Sequence, residues 1–145
     1  MKEYKFYGAN NANCKPLSNE YSVKDPKDLY DVLNYVWSKE TCAPRMQDRW
    51  SIDNKTLGQC SITAFLVQDI FGGIVYGVPL GDGNFHCYNV IGNNKFDLTS
   101  EQFGNIVLDY SDKYIQTREE HFKKEEKYQR YLLLKQNLKK QLEKK

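Results

Sequence analysis

Cys60, His86 and Asp97 are the residues whose types and order fit nucleophilic acyl chemistry. A thiolate attacks carbonyl carbon readily, an imidazole can take the thiol proton and later return it, and a carboxylate can hold that imidazole in one tautomer. Gly58-Gln59-Cys60 puts the cysteine in the first turn of an apolar helix. Unpaired backbone N–H groups and the positive end of the helix dipole there favour thiolate over thiol. Gly58 permits close backbone approach just before the sulfur. The Cys60 N–H would serve an oxyanion hole, with the Gln59 amide as a second donor. Trp50 would line the cleft if the loop before the helix folds over it. Each residue also has a plain reading. A cysteine on an apolar helix is commonly a small buried hydrophobe, a strand histidine commonly structural, and Asp97 before Leu98-Thr99 can simply cap the next turn.

The spacing of His86 and Asp97 makes the functional reading depend on strand register. In a strand through Phe85–Ile91, His86, Tyr88 and Val90 share one face, and Phe85, Cys87 and Asn89 share the other. A two-residue turn at Gly92-Asn93 sets Ile91 opposite Asn94, Tyr88 opposite Asp97 and His86 opposite Thr99. Asp97 is then a diagonal neighbour of His86 on the same face, at roughly 7–8 Å between backbone positions. A slip of one residue would carry it to the other face. The same alternation argues against a metal site built from Cys60, His86 and Cys87, and neither a metal nor a cofactor is expected. Asn89 is expected to serve the hairpin.

The elements that must carry these groups are legible around them. Asp25 and Pro26 start an amphipathic helix predicted over 26–39, with Leu29, Val32, Leu33, Val36 and Trp37 on its inner face. Residues 40–57 read as loop and Met1–Lys24 as loop with at most a short strand. The helix opened by Cys60 is apolar nearly all round through Phe71, so it is expected at the centre of the domain, ended by Gly72-Gly73. Strands over 74–80, 85–91 and 95–98, separated by Gly81-Asp82-Gly83 and Gly92-Asn93-Asn94, predict an antiparallel meander. A short helix capped by Thr99 or Ser100 follows. From about Asp112 the composition is helical, with Tyr128, Tyr131, Leu132, Leu134, Leu138 and Leu142 as a partial stripe and the last ten residues expected to fray.

The chain has 145 residues, 40% apolar and 28% charged, which suits one α+β domain with a real core. The division expected is a body over 1–117 and a basic helical tail over 118–145. Formal charge is +2 overall, but the tail carries ten Lys/Arg against five Glu and the body is slightly acidic. A solvated amphipathic helix is the better reading of that tail, and nucleic acid is not the expected partner. His121 is expected to be solvent-exposed within it. No apolar run approaches a membrane span or an export signal, so a soluble cytoplasmic protein is expected. Cys14, Cys42, Cys60 and Cys87 form no Cys-x-x-Cys pair, and Cys14 and Cys42 read as unpaired thiols.

The order of these motifs resembles the transglutaminase-like and papain-like cysteine superfamily. A closer resemblance is to the small bacterial YunG-like family. It is carried by Gly58-Gln59-Cys60-Ser61-Ile62-Thr63-Ala64, Val67-Gln68-Asp69, Phe71-Gly72-Gly73, His86-Cys87-Tyr88-Asn89, Phe96-Asp97-Leu98-Thr99 and Gln102-Phe103, over about residues 50–103. The resemblance implies a papain-like core, a central helix bearing Cys60 packed on an antiparallel sheet, with helices before and after, and Cys60, His86 and Asp97 in Cys-His-Asp order. Only 26 residues separate Cys60 from His86, which leaves little chain for the added sheet and loops of a full transglutaminase. The activity implied is a cysteine-dependent hydrolase or acyltransferase acting on an amide or thioester of a small molecule or peptide. The alternative is an inactive papain-like fold serving as a binding module.

Overall fold

The computed structural model describes residues 3–144. Met1 and Lys2 of the expected N-terminal loop, and Lys145 of the tail, lie outside the described residues.

Helix α1 (Pro26–Leu33) starts as its sequence dictates: Asp25 is the N-cap, its side chain accepting the Asp28 N–H, with Pro26 in the first turn. It ends six residues earlier than its periodicity predicts. The Asn34 side-chain amide turns back to the Tyr30 carbonyl, a local competitor to helix. Val36 and Trp37 reach the core from the following turns, where the Trp37 indole N–H donates to Thr63 Oγ1 at 3.0 Å. Apolar spacing thus marked burial correctly and helix length incorrectly.

Helix α2 (Cys60–Phe71) is central. Nine of its twelve residues are buried, as expected for a helix apolar on most faces. Gly72 and Gly73 both have positive φ, 83° and 78°, and turn the chain into the sheet. Strands β1 (Ile74–Pro79), β2 (Phe85–Ile91) and β3 (Asn94–Phe96) form the expected meander. Its register is the one the two-residue turn requires, with Ile91 opposite Asn94 and Asn89 opposite Phe96. The strand β3 stops one residue short of Asp97, whose N–H instead bonds Tyr7 O at 2.9 Å.

A fourth strand, β4 (Tyr114–Gln116), pairs antiparallel with the free edge of β1 and completes a sheet of order β3-β2-β1-β4. It falls where composition predicts helix. Unpaired backbone on the β1 edge supplies a ladder that local propensity does not foresee. Helices α3 (Arg118–His121) and α4 (Glu125–Glu143) follow. The second of these lies against α2 and α1, with Leu134 and Leu138 fully buried and Tyr131 nearly so. Each fully buried leucine is worth about 1.5–3 kcal/mol. Arg118 anchors the start of this segment through Asp69 and Gln68 Oε1, at 2.9 and 2.8 Å, and Tyr131 donates its hydroxyl proton to the same Asp69.

The result is an α+β fold, a four-stranded antiparallel sheet with helices packed on it. No helix among the described residues is long and apolar enough to cross a membrane.

Candidate active site

Cys60 is the first residue of α2, half-buried, and its placement follows from the glycine before the helix. Gly58 has φ of 71°, a region costly for any other residue. A Cβ on it would sit 2.5 Å from Cys42 Sγ and 2.9 Å from Ala43 N. Gly58 O accepts the Ala43 N–H at 3.0 Å, so loop 40–57 is tied directly against the helix start.

The sulfur lies over the beginning of β2, 4.0 Å from Phe85 O, where the His86 ring and the Cys87 thiol both act on its charge. His86 is 1% exposed, with the Phe103 ring edge-on at 4.6 Å. Its Nε2 is 2.5 Å from Asp97 Oδ2. Asp97 also accepts the Tyr110 hydroxyl at 2.7 Å on Oδ2, and the Thr99 N–H and hydroxyl at 3.1 and 3.2 Å on Oδ1. A carboxylate surrounded by donors is an acceptor, so Nε2 carries a proton and Nδ1 is left for the sulfur. The two sequence readings of Asp97 therefore hold together: Oδ1 organises the turn into the Ser100–Phe103 single-turn helix, and Oδ2 faces the imidazole.

The electrostatics favour a thiolate–imidazolium pair. The Cys60 thiol is held well below its ordinary pKa, first by the Cys87 hydrogen bond and then, against the opposing effect of burial, by the charge of His86. Burial pulls His86 down, but Asp97 and the Cys60 charge outweigh it and push the ring up to about 10. The other three thiols go the other way. Burial raises Cys14 to about 11 and also raises Cys42, and Cys87 is raised by its hydrogen bond to Cys60 and by burial.

Cys60 and His86 open on a cleft of about 530 Å³. One wall is the helix start and β2. The facing wall comes from the C-terminal segment, with His121, Lys124, Lys127 and Arg130. His121 is not the exposed tail residue that composition predicts. Its ring is half-buried, edge-on to Phe65 at 5.2 Å, and its Nε2 is 4.0 Å from Cys87 Sγ. The Lys127 ammonium donates to its Nδ1 at 2.9 Å, so the proton is on Nε2, which donates to Gln116 Oε1 at 2.8 Å. Burial, then Lys127, lowers this ring to about 4.

Two expected pocket residues lie elsewhere. Gln59 is fully buried and its amide donates to Ser38 O at 2.9 Å, away from the cleft, because adjacent residues at a helix start point in different directions. Trp50 donates its indole N–H to Lys55 O at 2.9 Å within its own loop and does not line the cleft. Gln102 does line it. Tyr110 carried no sequence signal, since it reaches Asp97 only because Asp112 (φ 59°) is held by the Tyr88 hydroxyl and Lys95. His121 and Lys127 had one faint signal, the aromatic run of Phe122, Tyr128 and Tyr131 that seats their segment on α2.

A sheet-backed central helix that presents a half-buried cysteine to an imidazole and a carboxylate defines a class: an α+β protein with a sulfur-centred polar cluster at a helix start. The chain belongs to the YunG family, whose model, described as YunG protein, matches residues 25–143. It is 35% identical over 72 residues to a Bacillus subtilis (strain 168) protein with the name Uncharacterized protein YunG, covering 50% of this chain and 57% of that one. The chain thus spans little more than half the length of that curated relative. No solved structure matches it.

Proposed function

We propose that this protein is a cysteine-dependent hydrolase or acyltransferase acting on an amide or thioester, with the core arranged as in the papain-like and transglutaminase-like superfamily. The observation that carries the reading is that Cys60 and His86 line one cleft, with the His86 ring held at 2.5 Å by the Asp97 carboxylate and the sulfur and the ring each favouring the other's charged form. In the first half-reaction the Cys60 thiolate adds to the carbonyl carbon, and the oxyanion is met by the unpaired Cys60 N–H at the helix start. The intermediate then collapses, the bond to the leaving amine or thiol breaks, and the His86 imidazolium gives that group its proton. In the second, water or an acceptor nucleophile loses a proton to His86, attacks the acyl-Cys60 carbonyl and releases the thiolate. Asp97 holds the ring and supports its positive charge. Four unpaired thiols suit work in the reducing cytoplasm.

Iodoacetamide labelling followed residue by residue by mass spectrometry tests the reading. Cys60 is expected to react at least about tenfold faster at pH 7 than Cys14, which is also half-buried but has a raised pKa. Labelling of Cys60 no faster than Cys14 would sink it.

The inward turn of the Gln59 amide favours a second reading, a binding module without turnover, because it leaves the oxyanion position with fewer donors. That reading expects Cys60→Ala to keep ligand affinity, and the wild type to leave acyl substrates intact.

A further inference from the structure

The cleft is not electrically neutral. It is lined by Arg45, Lys124, Lys127 and Arg130 against Glu120 and Glu126. Both acids are already engaged, Glu126 by Arg130 at 2.8 Å and Glu120 by Lys123 at 3.0 Å. Arg130 is also committed to Thr41 O at 3.0 Å. Arg45 and Lys124 are exposed at the rim, and Asp82 lies within the field of Arg45.

Lys127 differs from all of these. It is half-buried in the cleft wall. Among the described residues it has no carboxylate partner; its one hydrogen bond goes to the neutral His121 ring. An ammonium has three donors, so two are left unused by side chains or backbone among the described residues. A cation taken partly out of water, with one neutral acceptor and otherwise only the charge of the neighbouring thiols to offset it, is poorly compensated. An incoming carboxylate would complete it, with two oxygens for two donors. The cation also sits near the reacting centre: it holds His121, whose Nε2 is 4.0 Å from Cys87 Sγ, and it lies within the field of the Cys60 sulfur.

The geometry points to Lys127 as the specificity-determining residue of the cleft, selecting acyl substrates that carry a carboxylate close to the carbonyl attacked by Cys60. This rests on the cysteine-dependent acyl chemistry above and adds the substrate class to it. His121 is a positioning residue here: its ring fixes the ammonium, and Gln116 fixes the ring.

Two alkylating reagents of nearly equal size, iodoacetate and iodoacetamide, separate the two claims. Each forms the same S–CH2 bond and expels iodide, and only iodoacetate is negatively charged. In the full-length protein the iodoacetate-to-iodoacetamide rate ratio is expected to be roughly five- to tenfold higher at Cys60 than at Cys14, and to fall as salt is raised. Lys127→Gln and Lys127→Met should bring the Cys60 ratio to within about twofold of the Cys14 ratio while iodoacetamide still reacts fast. Lys127→Arg should keep most of the preference. Lys139→Gln, which removes one charge from a remote lysine paired with Glu20, should leave it unchanged. Equal ratios at Cys60 and Cys14 in the wild type, or an unchanged Cys60 ratio in both neutral Lys127 variants, overturns the inference with the acyl chemistry intact. A Cys60 inert to both reagents overturns the acyl chemistry and this inference with it.

Discussion

The cleft has two walls, and each presents one histidine. His86 on β2 and His121 at the end of α3 are both removed from water, and burial alone would lower both pKa values. They end on opposite sides of neutrality. His86 faces the Asp97 carboxylate and the Cys60 sulfur and rises to about 10. His121 is lowered first by burial and then by the Lys127 ammonium that donates to its Nδ1, and falls to about 4. The partner, not the burial, decides the charge. One wall therefore holds a proton at neutral pH, and the other holds a cation in place.

The largest effects should come from exchanging each ring for a neutral one. His86→Asn removes the proton acceptor of the thiol, and Cys60 alkylation at pH 6.5 is expected to fall by about 10²–10³. His121→Asn should change the iodoacetamide rate by less than about threefold, since a neutral ring contributes no charge to the sulfur. Equal losses in the two variants would erase the distinction between the walls.

The pH profile sharpens it. A Cys60 pKa pulled down and a His86 pKa pushed up mean that the ion pair persists between the two values. As pH falls from 8 to 6 an ordinary thiol loses about tenfold in thiolate per unit once below its pKa. Cys60 in the wild type should lose less than about threefold over that span. In His86→Asn the ordinary steep fall should return. His121 adds no inflection there, because its pKa of about 4 lies below the range.

The second wall depends on helix packing. Leu138 is fully buried in the core beside Leu134 and meets neither solvent nor cleft. Leu138→Ala is expected to cost about 2–4 kcal/mol in urea unfolding. A loss below about 0.5 kcal/mol would mean that residues 125–143 behave as the solvated tail their charge suggests.

What the sequence made legible follows from the range of the interactions involved. Ile91-Gly92-Asn93-Asn94 is a local signal, so the β2–β3 register, and with it the approach of Asp97 to His86, could be reasoned out. Gly58 before Cys60 was equally local. Strand β4 was not, because Tyr114–Gln116 become a strand only by meeting β1 some forty residues earlier in the chain. His121 and Lys127 were hidden for the same reason. A segment rich in Lys and Glu looks solvated until Leu134, Leu138 and Tyr131 are seen to find α2. Gln59 differs in kind: it precedes Cys60 in sequence, but adjacent residues at a helix start point in different directions, and its amide reaches Ser38 O.

The smallest effect expected is the most discriminating for the first wall. Tyr110→Phe removes one donor from Asp97 Oδ2, while the Thr99 N–H, the Thr99 hydroxyl and His86 remain. Stability should fall by about 1.5–3 kcal/mol, the range for a hydrogen bond to a charged acceptor. Removing this one donor leaves the Asp97–His86 contact in place, so the thiolate–imidazolium pair is not weakened. Cys60 alkylation should accordingly stay within about threefold of wild type. Burial and the Asp97 charge both raise the Tyr110 pKa, so it is a donor and not a proton reservoir. If Tyr110→Phe instead matched His86→Asn in its loss of reactivity, the proton that matters would reside between Tyr110 and Asp97, and the contrast between the two histidines would have been drawn at the wrong residue.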